Sequence, residues 1–165
     1  MSKLEYWLRG PIPEIPILLQ PIAHALLQVQ EELEVVLENF PEASLWEKPS
    51  GVASVGFHLQ HLVGVLDRLF TYAKNETLSK EQLEYLVNEG NENPNLSVKI
   101  LLNAFAEQVE KSLQQLKTTD SAELADLRLV GRKLLQSTTL GLLFHAAEHT
   151  TRHFGQLLVT VRMLR

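Results

Sequence analysis

Five of the six histidines fall in two short segments, His58 and His61 in one and His145, His149 and His153 in the other. Neutral imidazole is a common ligand for divalent metals, and histidines four apart on a helix share a face. Across Phe144-His145-Ala146-Ala147-Glu148-His149-Thr150-Thr151-Arg152-His153-Phe154-Gly155-Gln156 the steps between histidines turn the helix by about 40° each. The row continues through Leu142 before and Gln156 after, so the rings stand at seam positions where a packed helix carries leucine. Three imidazoles there forgo hydrophobic burial and need compensation, which one shared metal ion supplies. His24, alone at the start of the first helix, reads as incidental, since a lone histidine on such a face is usually a hydrogen-bonded core residue.

Two ligand registers are open from spacing alone. His145-x-x-Glu148-His149 has the pattern of an inverted zincin motif, with Glu148 as general base. In the other register His149 and His153 form the pair, and the segment holding His58 and His61 supplies a third ligand across a bundle. Glu148 points about 100° away from His149 on a helix. That direction suits orienting an imidazole, or pairing with Arg68 or Arg152, better than acting as a base. Either set leaves open positions on the metal, the arrangement of a catalytic site.

Four long helices are expected to position these residues. The first spans about 17–40, with Ile22, Leu26, Val29, Leu33, Val36 and Phe40 spaced 4-3-4-3-4 and Pro41 as its stop. The second spans about 54–74. It carries one stripe of Val55, Leu59, Leu62, Leu66 and Leu69, and beside it His58, His61, Val65, Arg68 and Tyr72. Asp67 or Arg68 is expected in a buried ion pair with another helix. Ser79 and Gln82 form a capping box for a short helix that Gly90 stops. The third long helix covers about 96–117, and the fourth opens near Ser137 or Thr138 and runs to about 163. Residues Leu127–Arg132 before it read as extended. The fold class is therefore all-α, a four-helix bundle, with 1–165 as one domain.

Composition removes several function classes. The chain has 165 residues and no cysteine, which excludes disulfides, thiolate metal sites and a cysteine nucleophile. A net charge of −5 argues against nucleic-acid binding. There is no apolar run long enough for a membrane span and no signal-peptide pattern, so the expected location is the cytoplasm. Arg128 and Arg132, flanking Val130-Gly131, are candidates for binding an anionic part of a substrate at one mouth of the bundle. Trp46 and Pro49-Ser50-Gly51 either line that mouth or cap the core.

The segments Ser54-Val-Gly-Phe-His58-Leu-Gln-His61-Leu, Leu66-Asp-Arg-Leu and His145-Ala-Ala-Glu-His149-Thr-Thr-Arg-His153-Phe-Gly-Gln156 resemble the DinB-like (YfiT-like) superfamily over essentially the whole chain. The resemblance implies a four-helix bundle, a homodimer, and a three-histidine site for a divalent ion such as Zn²⁺ or Ni²⁺. Carried over by position, the ligands are His61, His149 and His153, with His58, His145 and Glu148 around them. It also implies a metal-dependent hydrolase or an S-transferase using a low-molecular-weight thiol, acting on a small molecule. The rival reading is a non-catalytic bundle whose histidines are vestigial or hold a structural ion.

Overall fold

The computed structural model describes residues 3–165. Four long helices, α1 (Gln20–Val36), α2 (Val55–Ala73), α4 (Val98–Thr118) and α5 (Thr139–Met163), make up most of it, with a short α3 (Lys80–Asn88) between α2 and α4. A small antiparallel hairpin, β1 (Leu127–Val130) and β2 (Leu135–Thr138), joins α4 to α5, with Leu127 opposite Thr138. The fold is all-α apart from this hairpin.

Local chemistry sets the helix starts. Ser54, Ser97 and Thr138 are extended N-cap residues whose hydroxyls accept from the amides of Phe57, Ile100 and Gly141, each satisfying an orphan donor of the first turn. Ser79 and Gln82 make the reciprocal capping box of α3, and Gly90 beyond it adopts a left-handed φ of 82°. The first helix is shorter than its apolar stripe. A 3-10 turn, Ile17–Leu19, leads into it, and it ends at Val36 because Asn39 takes a left-handed φ of 57°. Phe40 stays buried without being helical. The strand β2 was not expected: Leu134 and Leu135 are exposed and give no pattern of burial to read.

Side-chain contacts fix how the helices run. Thr160 reaches Ala53, His153 reaches His58 and His149 reaches His61, so α5 is antiparallel to α2. Arg165 at the end of α5 donates to the carbonyls of Val36 and Glu38 at the end of α1, while Pro21 and Ile22 share a cleft with Phe144 and Ala147, so α1 and α5 are parallel. Each of α1 and α2 packs on both α4 and α5, so α1 lies diagonally across from α2 and α4 from α5. The core between them is mostly leucine: Leu26, Leu33, Leu59, Leu62, Leu66, Leu143 and Leu157 are fully buried, with Phe105 beside them. Each such side chain contributes about 1.5–3 kcal/mol by leaving water. Trp46 caps this core, its ring lying flat against Gly56 of α2, rather than lining an open mouth. Among the described residues, no helix is long and apolar enough to cross a membrane.

Candidate metal centre

The site lies where α2 and α5 cross. One turn of α2 presents His58 and His61, and two turns of α5 present His145, His149 and His153. Nitrogens of His61, His149 and His153 lie within 4.8 Å of one another, and all three residues are partly buried. The Nε2 atoms of His61 and His149 are 2.8 Å apart. His58, almost fully buried, has its Nδ1 3.2 Å from His153 Nδ1, and the Phe57 ring stacks on His61 at 5.3 Å between centroids.

A second grouping, His145, Glu148 and His149, meets the same distance limit but lies on the outer side of α5. His145 is 49% exposed and Glu148 41%, with 3.4 Å between His145 Nδ1 and Glu148 Oε2. Glu148 is engaged by Arg152, which donates to its Oε2 at 2.9 Å. At His149 it is Arg152 that makes the contact, donating to Nδ1 at 3.0 Å.

Burial and mutual repulsion keep three of the rings neutral. His58, His149 and His153 are each pushed down from 6.5 to about 4. Burial is the largest cause for all three, followed by the neighbouring imidazoles, because a proton on one ring repels a proton on the next. Neutral imidazole is the ligating form, so this donor set fits a borderline divalent ion such as Zn²⁺ or Ni²⁺.

The residue that spacing did not reveal is Glu89, just past the end of α3. Its side chain is 4% exposed, and its Oε2 accepts from His61 Nδ1 at 2.7 Å while Oε1 accepts from Arg68 at 2.6 Å. The expected ion pair of Arg68 therefore exists, but with a connection rather than a long helix, and Arg68 is not available to Glu148. The only hint in the sequence is Gly64 inside α2, whose missing side chain leaves the room that Glu89 and Arg68 occupy.

Arg128 and Arg132 do not join the site. Arg128 is buried and donates to the carbonyls of Ala73 and Leu127, with Glu123 and Asp126 each 3.7 Å away. It ties the hairpin to the far end of α2, about 18 Å along the helix from His61. Arg132 lies exposed in the hairpin turn. His24 faces the carbonyl of Gly10 at 3.1 Å.

Comparison with known proteins follows the same lines. The family described as the DinB superfamily matches residues 25–157. A crystal structure of a conserved protein from Enterococcus faecalis superposes with a TM-score of 0.69 at 17% identity, covering 88% of this chain and 96% of that one. That likeness is one of fold. No curated protein matches the chain in sequence.

Proposed function

The chain belongs to the DinB superfamily, and from that premise we propose that it is a metal-dependent enzyme whose His61, His149 and His153 hold one divalent ion. The observation that carries this reading is the convergence of three imidazole nitrogens from two helices within 4.8 Å, in a protein without a thiolate to compete for the ion. An ion bound this way keeps coordination positions open and supplies Lewis-acid chemistry to a small substrate. The reaction classes that suit it are hydrolysis and transfer to a low-molecular-weight thiol, carried out in the cytoplasm.

The chain's own residues divide the remaining work. His149 and His153 come from one rigid helix, which fixes their separation. His61 comes from the opposite helix with its Nδ1 held by Glu89. Phe57, stacked on His61, shields one side of the ring. A cleft of about 370 Å³, lined by Lys48, Val52, Phe57, Glu89 and Gly90 among others, has the size of a small-molecule pocket. It shares with the site the two residues that touch His61, Phe57 and Glu89, though none of the three histidines lines it. Lys48 and Glu89 bring one charge of each sign to it. Elemental analysis of protein purified without a metal-affinity step should find about one divalent ion per chain. Hydrolase and thiol-transfer screens with that ion then separate the two reaction classes. Protein that contains no metal and takes up none on titration would overturn the proposal.

A further inference from the structure

We propose that Glu89 is the positioning residue of the metal centre and that, through it, the α3 segment and the metal ion bind cooperatively. The inference rests on His61 being a ligand, as proposed above. Two donors converge on Glu89: His61 Nδ1–H at 2.7 Å on one oxygen and Arg68 at 2.6 Å on the other. Only a carboxylate offers an acceptor to each. With its Nδ1 proton committed to Glu89, His61 carries its lone pair on Nε2, where it accepts from His149 Nε2–H at 2.8 Å while no metal is bound. A carboxylate behind a histidine in this way fixes the tautomer and ring orientation and makes the ring a better ligand.

The fold is arranged around this contact. Gly64 sits one turn past His61 on α2, where a Cβ would land on Glu89 Oε1 and come within 2.6 Å of Arg68 and 2.9 Å of Tyr85. A glycine inside a helix is unfavourable, and here its place is explained by the ion pair it admits. The segment that delivers Glu89 is held by polar contacts and by the Tyr85 ring lying against Gly64. No residue of α3 is buried. Gln82 donates to Asp67 and Thr71, Tyr85 donates to the Gln60 carbonyl, and the Gly90 amide donates to the Gln60 side chain. An element anchored so lightly opens locally at low free energy. A ligated imidazole is a stronger Nδ1–H donor, so metal binding tightens the His61–Glu89 bond. By linkage, a docked α3 segment then tightens the metal by the same factor.

The test uses the full chain, stripped of metal by chelation. Zn²⁺ affinity is measured by competition with a chromophoric chelator, and hydrogen exchange over residues 80–90 is followed with and without Zn²⁺. In the unmodified protein Zn²⁺ should slow exchange in that segment. Glu89→Gln, which faces two donors with one acceptor, should weaken Zn²⁺ roughly 10–100-fold and abolish the Zn²⁺-dependent protection. Gly64→Ala keeps every proposed ligand and Glu89 in the sequence but pushes the Glu89 carboxylate from its place, and should do the same. The double variant should be no worse than either single one. Glu89→Gln that lowers thermal stability yet binds Zn²⁺ like the parent overturns the inference, as does an absence of Zn²⁺-dependent protection over 80–90 in the parent. A parent protein that binds no Zn²⁺ overturns the metal reading itself, an outcome distinguishable from the other two.

Discussion

His61→Ala, His149→Ala and His153→Ala should each abolish stoichiometric binding of Zn²⁺ or Ni²⁺, whereas His145→Ala should leave it nearly intact because that ring is half exposed. His58→Ala, which removes the ring against His153, should weaken binding roughly 10–100-fold. Calorimetric titration of these variants reads the register directly. Loss with His145→Ala beside normal binding by His153→Ala would put the ion on the outer grouping instead. Acid stability belongs to the same side chains. In the metal-stripped protein His58, His149 and His153 titrate near 4, against 6.5 for a free imidazole. The unfolded chain therefore takes up protons between pH 6.5 and 4 that the folded chain refuses, so stability is lost as pH falls through that window. Urea midpoints in the presence of chelator should drop steadily from pH 7 to pH 4. A midpoint constant down to pH 5 would show that the rings are not held neutral. The histidine row of α5 was legible because four-residue spacing maps directly onto a helix face. Spacing left the choice between His145 and His153 open, and His61 was assigned only through the family resemblance. Glu89 was not legible, since it is one of 20 acidic residues and stands 28 positions from the ring it holds.

Among the elements, the hairpin and α2 depend on contacts that can be broken singly. Arg128→Ala removes the bonds to Ala73 and Leu127 and should cost about 1–3 kcal/mol in chemical denaturation. Its Zn²⁺ affinity should not change, which separates this tethering role from the substrate contact expected at sequence level. Gly56→Ala brings a Cβ to 2.5 Å from the Trp46 ring and should cost about 1–3 kcal/mol, with a shift in tryptophan fluorescence. The first three long helices were readable from their 4-3 apolar stripes, and α5 from its row of histidines behind a Ser or Thr cap. The end of α1 was not, because the stripe runs on to Phe40, which is buried in a turn. The second strand was not, because Leu134 and Leu135 face solvent and so imitate no pattern.

At the scale of the molecule, stripes tell which faces are buried but not which helices are neighbours, so the diagonal placement of α1 against α2 could not be read in advance. The same limit bears on self-association. The double stripe on α2 is used up inside the bundle, where 13 residues of the helix are buried, and so offers no face for the homodimer that the resemblance implies. Among the apolar surface left over are two adjoining clefts between α1 and α5, one walled by Phe144 and the other by Trp7, each of these side chains 63% exposed. A homodimer through that face should give twice the chain mass in sedimentation equilibrium at micromolar concentration, and Phe144→Glu should return the monomer mass. The site's construction from α2 and α5 carries a further consequence for the chain as a polymer. His61 and His149 are 88 residues apart, in a sequence with no cysteine to close a loop of any size. An ion gripped by both ties the two helices together in the folded chain and is released when it unfolds, so its binding free energy adds to the stability of the fold. Chelation would then act on this protein much as a reductant acts on a disulfide-bonded one.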